Sequence, residues 1–411
     1  MSNFWLRNVR LEKGFIYEDD RIIGTNTEIV HLHIRDGVIT EITNEEIVTK
    51  DETVNAKGML LLPSLRDMHI HIDKTYYSGP WKAVTPATKG IFSRFEEEQK
   101  LLPKLLPTAQ KRAEKMIELL LENGHTHIRT HCNVDPVIGL KNLEATVAAL
   151  EKYKDSITYD IVAFPQHGLL RSDSVQLVRE AMKNGATLVG GVDPATVDRN
   201  IEKSLATLFE IAVEAGTGID MHTHEPNTLG RFTMERVAHY TENAGLQGKV
   251  TLGHAFALAD FEGESLAEFV QTLTQQQIDV TTTVPITRTI PIATLDQLGM
   301  KVSFGHDSIT DHWSPFGTGN TIEKMSTLAE RFRFIDERSL SKTLKWATGG
   351  ILPLNDLGER VWPKVGDEAT MLLVDATCSA EAIARRAEIH DVFFKGKSVM
   401  PSKNEKQILH K

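Results

Sequence analysis

Two rhythms of apolar and polar residues run along this chain. Near the N-terminus the period is two: Glu28-Ile29-Val30-His31-Leu32-His33-Ile34 alternates, Arg35-Asp36-Gly37 reads as a hairpin turn, and Val38-Ile39-Thr40-Glu41-Ile42 resumes the alternation. The last fifty residues read similarly, with strands at Ala369-Thr370-Met371-Leu372-Leu373-Val374-Asp375 and at Val392-Phe393-Phe394, the latter followed by Lys395-Gly396-Lys397. These ends, 1–62 and 361–411, predict one small β-sandwich built jointly by both termini.

Between them the rhythm changes. Helical spacing covers 109–123, 174–184 and 201–215, each run stopped by a glycine at 124, 185 or 216. Short apolar strands end near His71, Cys132, Pro165, Asp193, Glu225, His254, Thr283 and Asp307. Eight strand–helix units in succession predict a closed (β/α)8 barrel over 63–360 rather than an open sheet. The acidic triplet Glu96-Glu97-Glu98 reads as a solvated face of the long connection after the first strand. That connection, 76–106 with Pro80 and Trp81, is a candidate lid or interface.

The candidate chemistry sits at the strand ends. Met68-His69-Ile70-His71-Ile72-Asp73 closes the first barrel strand, and residues i and i+2 of a strand point to one face, so both imidazoles can reach one ion. A lone histidine pair is weak, since histidines on strands are commonly half-exposed, and a lone aspartate after a strand is commonly a helix cap. The pair gains weight from Asp220-Met221-His222-Thr223-His224-Glu225, Thr251-Leu252-Gly253-His254 and Phe304-Gly305-His306-Asp307-Ser308 at the ends of strands 5, 6 and 8. In a barrel these ends converge on one mouth. Three imidazoles and one carboxylate suit one divalent ion such as Zn²⁺ or Fe²⁺, whereas Mg²⁺ or Ca²⁺ wants more oxygen. His222 and His224 share parity, and spacing alone does not choose between them. Lys74, just past the pair, is placed either to pair with Asp73 or to reach a substrate.

Composition narrows the partners. The formal net charge is −10, which argues against nucleic acid or an anionic membrane surface. No apolar run approaches the roughly 20 residues of a membrane span. The first seven residues lack a secretory leader's layout. Two distant cysteines, Cys132 and Cys378, supply neither a disulfide framework nor a zinc module. A reducing cytoplasm is the expected home, with a small molecule as partner and a homo-oligomer as a possibility.

Several motifs carry a resemblance that spans nearly the whole chain. His69 and His71, His222, His254 and Asp307 resemble the metal-site pattern of the amidohydrolase superfamily. Phe164-Pro165-Gln166-His167-Gly168 and Trp313-Ser314-Pro315-Phe316-Gly317-Thr318-Gly319-Asn320 are similar to segments of its cytosine deaminase-like branch. Gly190-Gly191-Val192-Asp193-Pro194-Ala195-Thr196 and His71-Ile72-Asp73-Lys74-Thr75 resemble N-isopropylammelide isopropylaminohydrolase, an s-triazine enzyme of the same branch.

The resemblance implies metal-dependent hydrolysis of a C–N bond in a small nitrogen heterocycle. The expected reaction is deamination of a cytosine-like, pterin-like or triazine-like cyclic amidine. It implies His69, His71, His222 and Asp307 as metal ligands, His254 as the residue orienting the water, and Asp307 as its proton acceptor. Glu225 would shuttle a proton to the ring. Gln166, able to donate and accept, would read a ring edge, and Ser308, Trp313 and His224 would line the pocket. Strand 4 ends without the lysine that bridges two ions in binuclear members, which implies a single metal. Ser308 replaces an acid found in cytosine deaminase, which counts against cytosine itself. Glu225, present in cytosine deaminase and absent from the triazine enzyme, favours deaminase-like proton handling. The rival reading is release of an alkylamine or opening of a cyclic amide at the same metal site.

Overall fold

The run Leu60-Leu61-Leu62 divides its side chains between two cores, and that division organises the molecule. In the computed structural model, which describes residues 3–401, the strand Leu60–Pro63 turns Leu61 into a cluster with Phe4, Leu6, Leu32, Ile34 and Phe393. Leu60 and Leu62 face the barrel core instead. Met371–Val374 divides in the same way: Met371 and Leu373 join the first cluster, Leu372 and Val374 the second. A period of two leaves no alternative once both faces of a sheet are covered. Each such fully buried Leu or Phe contributes roughly 1.5–3 kcal/mol.

The terminal sandwich is built from both ends of the chain through one continuous ladder. Its order runs Lys397–Ser398, Ile389–Phe394, Met371–Val374, Leu60–Pro63, Asn3–Glu18, Arg21–Arg35, Val38–Thr43, with Glu52–Asn55 also paired to Asn3–Glu18. Asp36 and Gly37, at φ 52° and 82°, make the two-residue hairpin loop between Arg35 and Val38, the turn that matches strand twist. Residues 402–411, included in the expected sandwich segment, lie outside the described residues.

The barrel strands follow chain order: Leu65–Ile70, His125–Asn133, Thr158–Phe164, Leu188–Val192, Gly218–His222, Val250–Gly253, Asp279–Thr282 and Val302–Phe304, here strands 1 to 8. Neighbours are parallel throughout. Ala109–Glu122 lays Ala109, Ala113, Met116, Ile117, Leu120 and Leu121 on the barrel, the stripe that helical spacing prescribes. Val175–Lys183 and Ile201–Ala215 stand within a residue of their expected limits. Among the described residues no helix is long and apolar enough to cross a membrane.

Closure brings the last strand against the first. His71 N donates to Asp307 O at 3.0 Å and Asp307 N donates to His69 O at 2.7 Å. Gly305 permits this, because a Cβ there would lie 2.5 Å from the His69 Cβ and carbonyl oxygen. Strands 1, 5 and 6 stop one to three residues earlier than the sequence suggests, at Ile70, His222 and Gly253. The residues beyond leave the ladder. His254 and Asp307 sit at φ 65° and 62°, a left-handed conformation that ends an extended strand and is uncommon outside glycine.

Candidate active site

At the C-terminal mouth, His69, His71, His222 and Asp307 converge so closely that one ligand atom from each lies within 4.8 Å of all the others. His69 Nε2 is 3.1 Å from His222 Nε2, which is 3.3 Å from His71 Nε2. Asp307 Oδ1 stands 3.3 Å from His71 Nε2 and 3.7 Å from His69 Nε2. Ligands on a tetrahedral ion with bonds of ~2.1 Å stand about 3.4 Å apart, so the donor set fits a divalent ion. The tautomers agree. His71 Nδ1 donates to the His131 carbonyl at 3.0 Å, which leaves its Nε2 lone pair free. Burial and the neighbouring imidazoles hold His69 and His222 well below the usual histidine range, so both are neutral, as ligands must be. Strand 4 pairs Val192 with His222 and brings no lysine to this level, with Asp193 beyond its end.

Strand 5 and its exit loop place the expected acid–base groups. Glu225 is buried, its Oε1 accepting from Ala195 N (2.9 Å) and Thr196 N (2.7 Å) and its Oε2 from the Thr233 hydroxyl (2.6 Å). Burial raises its carboxyl above the ordinary value despite these donors. His254 is pushed down to about 3 by burial and by His224 beside it. Both its ring nitrogens lack a hydrogen-bond partner, which points to a ligand or water between them and the cluster. His224 lies past the strand end with Nδ1 2.7 Å from Asp193 Oδ2 and its ring 4.3 Å from that of His254. It is therefore His222 that joins the cluster. His224 and Asp307, with side chains 33% and 34% exposed, form the solvent-open part of the site.

The other side of the mouth departs from expectation. Glu98 is not on a solvated face: it is 0% exposed. The helix Ile91–Leu105 buries Arg94, Phe95, Glu98 and Leu102 on one side, leaving Glu96 exposed and Glu97 partly so. Glu98 Oε1 accepts from Lys74 Nζ (3.3 Å), His312 Nε2 (2.8 Å) and Trp313 Nε1 (2.9 Å), and Oε2 from His167 Nε2 (2.8 Å) and Asn133 Nδ2 (3.3 Å). Burial alone would raise this carboxyl, but the Lys74 ammonium and the two histidines hold it well below the usual range. Lys74 neither pairs directly with Asp73 nor stands free for a substrate; it is 1% exposed and also donates to Gln166 Oε1 at 2.8 Å. Asp73 instead accepts from Asn133 N and Asn142 Nδ2, each at 2.9 Å. Trp313 is tied into this hub. Ser308, half-buried beside Asp307, lines a groove of about 420 Å³ with Val284, Ile286, His306 and Phe316.

Sequence reasoning missed a layer beneath the cluster. His131 packs its ring 4.1 Å from that of His69, both its nitrogens lack partners, and its Nε2 is 3.7 Å from Asp220 Oδ1. Burial pushes Asp220 up to about 6 against the pull of Arg129, which donates to it at 2.9 Å. Asp67 accepts from His69 N and His306 N, each at 3.2 Å, and so pins both sides of the seam. The signal was available: Asp67, Asp220 and His131 each lie two residues before a strand-end residue of the same parity.

A closed (β/α)8 barrel gathering three imidazoles and a carboxylate at its C-terminal mouth defines a class, that of barrels equipped for metal-assisted chemistry. Within that class the chain belongs to the amidohydrolase family, whose model matches residues 52–400. It is 45% identical over 406 residues to "Uncharacterized protein YahJ" of Escherichia coli (strain K12), covering 97% of this chain and 88% of that one. It is 30% identical over 393 residues to N-isopropylammelide isopropyl amidohydrolase of Pseudomonas sp. (strain ADP), covering 93% of each. Among solved structures it matches N-isopropylammelide isopropylaminohydrolase from Burkholderia multivorans ATCC 17616 with a TM-score of 0.84 and 26% identity, covering 97% of this chain and 98% of that one.

Proposed function

We propose that this protein hydrolyses a C–N bond of a small nitrogen heterocycle with one divalent ion, Zn²⁺ or Fe²⁺, held by His69, His71, His222 and Asp307. The favoured reaction is deamination of a cyclic amidine of the cytosine, pterin or triazine type. The carrying observation is that the four-ligand cluster, the partnerless His254 and the raised carboxyl of Glu225 meet at one mouth. A bound ion would lower the pKa of a water towards about 7 and stabilise developing negative charge. His254, neutral and with free ring nitrogens, orients the attacking water. Asp307, the carboxylate of the cluster, takes that water's proton. Glu225, fixed by three donors yet raised towards neutrality, carries a proton to the ring nitrogen and the departing amine, a contribution of roughly 10²–10⁴-fold. Gln166, Ser308, Trp313 and His224 form the substrate pocket. Both cysteines are buried and free, which suits a cytoplasmic protein.

A second reading, release of an alkylamine, is supported by the 30% identity to N-isopropylammelide isopropyl amidohydrolase. The two separate by product. Metal-loaded protein is to be offered cytosine, isocytosine, pterins, oxidised purines and amino-triazines. Ammonia released from one of them, and lost in His69→Ala, is the expected result. An alkylamine from N-alkyl triazines, with no ammonia from the panel, would replace deamination with the second reading.

A further inference from the structure

Lys74 offers three protons and meets three side-chain oxygens: Gln166 Oε1 at 2.8 Å, Glu98 Oε1 at 3.3 Å and Asn133 Oδ1 at 3.3 Å. An ammonium has no lone pair, so the Gln166 amide must turn its oxygen to Lys74. Its NH₂ therefore faces the other way. That group has no hydrogen-bond partner among the described residues, although Gln166 is only 5% exposed. Unlike the ring nitrogens of His254, this nitrogen is not sealed from solvent, so it is a donor open to a ligand. Gln166 lies two residues past Phe164, whose ring stacks on His222 at 4.0 Å, so the residue follows the end of strand 3 at the barrel mouth. Glu98, gripped by five donors, holds the ammonium from behind.

We propose that Lys74, anchored by Glu98, is a positioning residue that locks Gln166 as a donor, so that the site selects rings presenting an acceptor at that edge. The acceptor is an exocyclic carbonyl oxygen. The inference rests on the heterocycle reading above and narrows it. The sequence allows Gln166 to donate and accept, but the buried ammonium occupies the accepting end.

The test is equilibrium binding to metal-loaded, full-length protein, by calorimetry, of ring pairs differing by one oxo-for-amino exchange. Suitable pairs are cytosine with 2,4-diaminopyrimidine and ammeline with melamine. The oxo member of the productive pair is expected to bind roughly 10–100-fold more tightly, since the amino member leaves two donors facing each other. In Lys74→Met, with metal content unchanged, Gln166 is free to rotate and the ratio is expected to fall below about 3-fold. If Lys74→Met does not fold, Gln166→Glu decides: its carboxylate still satisfies Lys74 but offers only acceptors, and the preference is expected to reverse. Equal affinity of wild-type protein for both members overturns the inference and leaves the heterocycle reading standing. Full discrimination retained in Lys74→Met, or unchanged preference in Gln166→Glu, overturns it likewise. No binding by any ring overturns the heterocycle reading, and the inference with it.

Discussion

Two clusters at one barrel mouth use the same kinds of side chain to opposite ends. Around Glu98, one carboxylate accepts from five donors. Around His69, His71, His222 and Asp307, nitrogens and a carboxylate oxygen crowd to 3.1–3.7 Å, with too few protons to hydrogen-bond them all once the imidazoles are neutral. Buried polar groups are satisfied as a rule. The Glu98 carboxylate is saturated as it stands, so it works as scaffold. The second cluster turns lone pairs on one another, an arrangement a cation would satisfy, and both ring nitrogens of His254 beside it lack a hydrogen-bond partner. The difference between the clusters lies in satisfaction of lone pairs, not in residue type or burial.

The hardest test of that difference is removal of a ligand. His69→Ala should abolish stoichiometric metal binding, measured by elemental analysis. It should also cut turnover by about 10³-fold or more, since an ion contributes several kcal/mol to the transition state and each decade is about 1.4 kcal/mol. Full metal occupancy in this variant would erase the contrast between the clusters. Glu225→Gln should separate binding from chemistry: metal retained, turnover down roughly 10²–10⁴-fold. Near-normal turnover would leave Glu225 as a loop anchor only, tied to Ala195, Thr196 and Thr233.

Glu98→Gln probes the other cluster. It leaves the Lys74 ammonium buried without its counter-ion, a loss of about 3–5 kcal/mol when one partner of a buried pair is removed. The expected readout is a clear fall in the thermal midpoint with one metal still bound per chain. Metal loss without a stability change would show that Glu98 belongs to the ion's surroundings instead.

The convergence of His69, His71, His222 and Asp307 was legible in the sequence and the Glu98 cluster was not, for a physical reason. His69 and His71 announce themselves through a local rule, strand parity, and the other ligands repeat it at the ends of strands 5 and 8. The same periodicities placed the barrel strands and three of the helices. Glu98 obeys a different rule. It lies in a triplet of acids, and its membership of the helix's buried side depends on Phe95 three residues before it and Leu102 four after. That spacing was present in the sequence, but the charge run concealed it. Its partners His167, His312 and Trp313 come from loops that only the closed barrel brings together. The strand ends were overrun for a related reason, since the left-handed turns at His254 and Asp307 interrupt no hydrophobic pattern.

The smallest expected effect separates orientation from ligation within the metal cluster. Thr281, buried on strand 7, stands with its Oγ1 3.4 Å from His69 Nδ1, at the long limit of a hydrogen bond. Among the described residues it is the one contact that could fix this imidazole's tautomer, a role played for His71 by the His131 carbonyl at 3.0 Å. Yet His69 is also confined sterically: a Cβ at Gly253 would lie 2.9 Å from its Cε1, and one at Gly305 would lie 2.5 Å from its Cβ. Packing therefore carries most of the orientation. Partners of ligating histidines typically account for 10–100-fold in metal affinity, and Thr281→Val should sit at the lower end, about 10-fold, in a chelator competition assay. Turnover at saturating metal should be unchanged. A 100-fold loss would mean that the hydrogen bond, not the glycine-lined slot, aims His69; no loss at all would assign its aim to packing alone.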